Sequence, residues 1–219
     1  FGDTLNTGSM TSASLTDVTI RTGNLNVGAF DGTSVAVLDL GNTKMVKGLL
    51  TNVTNLTSLT MTLGSSTGNN YLGYAFGVNS NVNQRLDLSK FKLNEIVLKG
   101  DIPKNAINDT EIKDSIKLII NSKSMSGLAI NDCNIANLEI ASETFSSQAI
   151  SNSTINTLDV LNVKDSKGAS VTTISDGFVD NCQIKNINLP FAGKTKDTGD
   201  TYVYNMFSNT DLSNTTLTI

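Results

Sequence analysis

The sequence predicts a β-rich repeat solenoid of short parallel strands and turns, a single unit over residues 1–219 in about nine irregular coils. Three observations predict it. Composition favours strands and polar turns: Asn, Ser and Thr abound, Trp is absent, and only 2 of 219 residues are Pro while 17 are Gly. Long helices would want more Ala, Glu, Leu and Lys. The chain also repeats itself, "GLAINDCNIANLEI" (127–140) returning as "SQAISNSTINTLDV" (147–160). Within each unit, finally, the apolar spacing changes from a turn-like interval to strict alternation.

Each unit is anchored on one apolar residue: Phe30, Leu50, Phe76, Ile107, Ile130, Ile150, Val179 and Phe207. Five residues earlier stands another, namely Leu25, Met45, Tyr71, Ile102, Met125, Phe145, Ile174 and Tyr202. Ala precedes the anchor at Ala29, Ala75, Ala106, Ala129 and Ala149, which permits close approach in a turn. Three residues after the anchor comes a small side chain: Thr33, Thr110, Cys133, Ser153, Cys182 or Thr210. A hydroxyl or thiol fits inside there and can bond a local backbone group. Five after the anchor stands Val35, Ile112, Ile135, Ile155, Ile184 or Leu212. The unit closes on alternating pairs, Leu38 and Leu40, Leu138 and Ile140, Leu158 and Val160, Ile187 and Leu189.

Alternation places both closing residues on one side of a short strand. One such coil cannot bury its own apolar side. Burying a Leu or Ile gains about 1.5–3 kcal/mol, against about 1–2 kcal/mol of backbone entropy for each ordered residue. Stacked copies cover one another and win that comparison, so repetition supplies the core.

The unit is interrupted at Leu63–Asn70, Leu161–Thr173 and Phe191–Thr201, where insertions are expected along one edge of the stack, and 77–92 is a further insertion. "RLDL" and "LNEIVL" compete for one strand slot, and Leu93, Ile96 and Leu98 are preferred because Ile102 follows at a normal interval. Over 112–120 two registers fit, Ile116 with Leu118 or Leu118 with Ile120. Cys133 and Cys182 share one slot two coils apart, too far for a disulfide, which needs Cα atoms within about 7 Å. Two buried free thiols are expected.

Formal net charge is −4 with no Lys/Arg cluster, which argues against nucleic acid, and no apolar run is long enough to insert in a membrane. His is absent, so Ser-His-Asp and Cys-His arrangements are unavailable and a zinc site is disfavoured. No phosphate-binding Gly loop or calcium loop is written, and no cofactor or metal is expected. Sequons at Asn52, Asn55, Asn108, Asn152 and Asn214 are frequent enough in an Asn- and Thr-rich chain to arise by chance, and Asn108 and Asn152 sit at turn positions beside the anchors. The residue between the two closing apolar positions points from the sheet to solvent. Asp39, Thr60, Val97, Glu139, Asp159 and Asn188 occupy it and form a candidate binding strip. Glu139 and Asp159 fall in adjacent coils, where a carboxylate pair could serve a polysaccharide-active enzyme. No catalytic residue is assigned.

The segment "ISDGFVDNCQIKNINLP" (174–190), with "LNVGAFDGTSVAVLDL" (25–40) and "MSGLAINDCNIANLEI" (125–140), resembles the unit of BspA-like leucine-rich repeats of bacterial surface proteins. The resemblance covers essentially the whole chain and is weakest over 51–100. It implies a right-handed leucine-rich-repeat superhelix with a parallel sheet on the concave side and turns or short helices on the convex side. It also implies an extracellular or cell-surface protein that adheres to proteins or glycans on host or neighbouring cells. A right-handed parallel β-helix is the rival architecture, and a structural spacer the rival role. The first residues lack a signal peptide and no cap follows "TTLTI", so a fragment of a longer surface protein is expected.

Overall fold

The computed structural model describes residues 4–21, 23–41, 46–63, 71–78, 85–88, 91–168, 171–189 and 206–218. Met45, Tyr202 and most of the expected insertions at 63–70 and 191–201 lie outside them.

The described chain is strand-rich, and its paired strands are parallel. The principal sheet has ten strands. Nine follow one another in chain order: Ser14–Thr19, Ser34–Asp39, Ser58–Leu63, Glu95–Ile102, Glu111–Met125, Asn134–Phe145, Thr154–Leu161, Gln183–Asn188 and Thr216–Thr218. Thr173–Ile174 adds a tenth strand against Thr144 and Phe145. A second parallel sheet is made of the anchors themselves, as two-residue strands beginning at Ile107, Ile130, Ile150, Val179 and Phe207. Turns or short helices were expected around the anchors. Among the described residues only Tyr71–Ala75 is α-helical. At Ile107, Ile130, Ile150, Val179 and Phe207 the anchor is extended and its backbone bonds neighbouring repeats, as when Ile130 N donates to Ala149 O at 3.0 Å, whereas Phe30, Leu50 and Phe76 lie in turns.

Register is like on like. Ile135 stands opposite Ile155, and Ile155 opposite Ile184. Leu38, Leu59, Ile96, Leu118, Leu138, Leu158 and Ile187 form a continuous buried row. Met61, Leu98, Ile120, Ile140 and Val160 form the next. The pairing of Leu118 with Leu138 and Ile120 with Ile140 settles the register over 112–120. "RLDL" and "LNEIVL" turn out to occupy successive slots of one repeat. Leu86 bridges Thr110, while Ile96 and Leu98 join the principal sheet.

A further unit precedes those read from the sequence. Leu5 pairs with Leu25, Met10 N bonds Ala29 O at 3.0 Å, and Leu15 and Val18 stand opposite Val35 and Leu38. Its anchor is Met10, which Ser9 precedes where most units carry Ala.

Two turn positions, two residues before the anchor and two after, both take a left-handed backbone around Phe30, Ile107, Ile130, Ile150 and Val179. Gly28, Asn105 and Gly177 occupy the first, and Gly32, Asp109, Asn152 and Asn181 the second. Gly, Asn and Asp tolerate this conformation best. Gln148, at φ 56°, and Leu128, at φ 57°, are the misfits, and Leu128 is the apolar one. Its side chain is only partly buried and does not pack on the core, while its N–H and C=O bond Gln148 and Asn105 through the backbone alone. Leu128→Gly is therefore expected to raise stability by about 0.5–1 kcal/mol, relief of strain exceeding the added chain entropy. An unchanged or lower urea midpoint would contradict this.

Candidate functional site

The six strip residues fall in one row. Asp39 is opposite Thr60, Thr60 opposite Val97, Glu139 opposite Asp159, and Asp159 opposite Asn188. The sequence left a gap between Val97 and Glu139, and the structure fills it with Ile119, which pairs with both. The row continues to Thr19 at one end and Thr218 at the other. Ile119 was missed because the insertion after Ile112 obscured the register of its strand.

Alternation explains why the row faces outward, since its flanking residues fill the buried rows. Val97 departs from the expected exposure. It is only 9% exposed, because Thr60 and Ile119 stand on either side of a short apolar side chain. The strip thus has a flat apolar middle, Val97 and Ile119, and polar flanks.

The flanking charges are held. Lys117 Nζ lies 2.7 Å from Glu139 Oε2, with the two side chains 47% and 23% exposed. Such a half-exposed pair contributes about 0–1 kcal/mol, so it positions more than it stabilises. Asn188 Nδ2 donates to Asp159 Oδ1. Gly41 N donates to Asp39 Oδ1 at 2.8 Å, and Arg21 Nη1 stands 4.0 Å from Asp39 Oδ2. Glu139 and Asp159, in register on adjacent strands spaced about 4.8 Å apart, are like charges side by side. Lys117 and Asn188 approach them from outside the pair.

Behind the sheet, the small-residue slot behaves as a column of local caps. Thr110 Oγ1, Cys133 Sγ, Ser153 Oγ, Cys182 Sγ and Thr210 Oγ1 each donate to the carbonyl two residues earlier, at 2.7–3.2 Å. Ser153 Oγ also accepts from Cys133 N at 3.1 Å, which links neighbouring repeats. Both cysteines are buried and free. Burial pushes the Cys133 thiol up to about 12 and the Cys182 thiol up to about 11, with nearby carboxylates adding to the rise.

A thiol pKa raised in the folded state stabilises below its unfolded value, about 8.5, and that contribution is lost as pH rises toward 11–12. Each thiol steepens the alkaline loss by up to about 1.4 kcal/mol per pH unit. Cys133→Ser with Cys182→Thr keeps the local bond and removes the thiols. The double variant is expected to lie within about 1 kcal/mol of the parent at neutral pH and to show a shallower decline above pH 9. Equal slopes in the two proteins would refute the assignment.

On the anchor side an amide ladder runs along the turns. Asn131 Nδ2 donates to Asn108 Oδ1 at 3.0 Å, Asn152 to Asn131 at 2.9 Å, and Asn181 to Asn152 at 2.8 Å. This gives Asn108 and Asn152 the turn role that their position suggested. Among the described residues, no group of three or more His, Cys, Asp and Glu side chains could hold a metal ion, and no helix is long and apolar enough to cross a membrane. Comparisons with protein-family models, with curated proteins and with solved structures return no match for this chain.

Proposed function

We propose that this chain is a solenoid segment of an extracellular or cell-surface protein, and that it acts as a binding or adhesion module toward proteins or glycans on other cells. The observation that carries the reading is the unbroken outward row from Thr19 to Thr218, with an apolar centre and anchored polar flanks. A rigid sheet presents such a row without ordering cost on binding. The BspA-like likeness of the repeat unit supports the surface location. For the architecture, the second parallel sheet at the anchors and strands as long as Glu111–Met125 favour the parallel β-helix arrangement over a leucine-rich-repeat horseshoe.

Labelled protein applied to printed arrays of surface glycans and extracellular-matrix proteins tests this. Selective capture that falls at least tenfold with Ile119→Lys or Glu139→Lys is the expected result. No selective capture would count against the module and favour a spacer. The register pair Glu139 and Asp159 also fits a carboxylate dyad, whose members stand roughly 5–5.5 Å apart in retaining glycosidases. Release of reducing sugar from a polysaccharide, abolished by Glu139→Gln or Asp159→Asn, would replace binding with catalysis.

A further inference from the structure

A second surface, away from the strip, is shaped for a ligand. Between the capped small residue and the principal sheet the strands bend, and at Ile135 the register slips by a bulge. Along this bend the next repeat adds side-chain donors to backbone carbonyls, Ala36 O already accepting from Thr57 N at 2.8 Å. Thr57 Oγ1 donates to Ala36 O at 2.9 Å, Asn137 Nδ2 to Asp114 O at 3.1 Å, Asn186 Nδ2 to Asn156 O at 3.2 Å, and Thr215 Oγ1 to Ile184 O at 2.6 Å. The elbow is therefore fixed across many repeats.

Along it lies an open hollow of about 530 Å³, lined by the exposed side chains of Asn134, Thr154, Asn156 and Gln183, while the side chains of Ile155 and Ile184 beneath them turn into the core. Another, of about 320 Å³, opens at Glu111 and Lys113. A single register row joins them, from Glu111 through Asn134, Thr154 and Gln183 to Asp211.

The wall chemistry is specific. The chain uses Asn in two ways. Ladder and elbow amides are engaged, as described above. The side chains of Asn134, Asn156 and Gln183 and the Thr154 hydroxyl make no hydrogen bond among the described residues, and all four are exposed. Amides and hydroxyls that both donate and accept, repeated once per strand, match a polymer that presents alternating donors and acceptors at a similar interval. Charges at the hollows cancel. Lys185 and Asp211 both line one, and in the other Arg85 is held 3.4 Å from Asp109 and 3.5 Å from Glu111.

We propose that this elbow groove binds a linear, uncharged polysaccharide lying across the strands, one sugar per repeat, with its hydroxyls on the free amides and on the Thr154 hydroxyl. An anionic chain lacks the surplus of cations it would need, and an extended peptide, rising about 3.3 Å per residue, does not keep step with strands about 4.8 Å apart.

Cellohexaose and xylohexaose serve as neutral probes in titration calorimetry, with oligogalacturonate as the anionic comparison. Expected is binding of a neutral hexamer, little changed by added salt because no net charge is neutralised, and no detectable binding of the monosaccharides. Asn156→Ala with Gln183→Ala should weaken it at least tenfold with an unchanged melting temperature, and Thr154→Arg, which fills the groove, should abolish it. Failure of both neutral hexamers to bind, or preference for oligogalacturonate with steep salt dependence, overturns the proposal. So does binding that survives all groove variants. Loss with Glu139→Lys but not with Thr154→Arg would place the sugar on the sheet face, overturning the groove while leaving the adhesion reading intact.

Discussion

Leu138→Ala is expected to lower the unfolding free energy by about 2–5 kcal/mol, the range for truncating a fully buried Leu. Leu138 is 1% exposed and lies between Leu118 and Leu158, so no solvated side chain can collapse into the space. The cavity touches two interfaces at once. Since repeat stability is a sum of units and nearest-neighbour terms, coupling between the two ends of the stack should weaken too. In urea followed by circular dichroism, the midpoint should fall and the transition broaden. Hydrogen exchange should quicken first in Glu111–Met125 and Thr154–Leu161. Leu217 lies in the same row but is 42% exposed, and Leu217→Ala should cost less than about 1 kcal/mol. Equal losses at the two positions would show that the row is not the continuous core described.

Gly100→Ala is the second large effect. Gly100 ends the straight part of its strand at φ +84°, where the register slips before Asp101. A Cβ built there would stand 2.3 Å from the Leu63 carbonyl oxygen. That contact is backbone on both sides and cannot relax by rotating a side chain. The left-handed conformation alone costs a non-Gly residue about 1–2 kcal/mol, and the clash forces the two strands apart as well. A loss of at least about 3 kcal/mol is expected, combining that strain with loss of local ladder bonds. Gly168 provides the control. Its φ is +81°, but nothing lies within 4 Å of its would-be Cβ. Gly168→Ala should lose only the conformational term, about 1–2 kcal/mol. Thermal unfolding of both variants makes the comparison, and a Gly100→Ala loss no larger than that of Gly168→Ala would contradict the close approach.

Much of this was legible in the sequence, for a physical reason. Like-on-like stacking leaves the same residue class at the same offset in every unit, so Ile135, Ile155 and Ile184 could be aligned before their pairing was known. The small slot was legible because few side chains both fit inside and cap a carbonyl, and the two cysteines followed from it. Ile119 was not legible. Residues 113–116 stand opposite Ala136 alone, and an insertion inside a strand destroys the count on which alternation depends. The Met10 unit was missed because Ser9 gives no close-packing signal. The extended anchors were missed because a two-residue strand is too short to show a period. The elbow groove was illegible for a different reason. Asn137 and Asn156 stand at successive offsets of the unit, Asn137 opposite Thr157 and Asn156 level with Ala136, and only the three-dimensional pairing shows that the first amide reaches a carbonyl while the second is left to solvent.

The uniform register has a further consequence for how such a chain can vary. Ser151 occupies in its repeat the place that Asn131 holds in the one before. Excising 131–150 would join Ile130 directly to Ser151 and bring equivalent surfaces together at the seam. A single-residue deletion within Asn134–Phe145 would instead reverse which side chains face inward. Length is thus quantised: copy number can change by whole rungs while fractional changes are punished. Recombination between near-identical segments becomes the natural route by which a molecule of this kind would grow or shrink to match the span of what it meets.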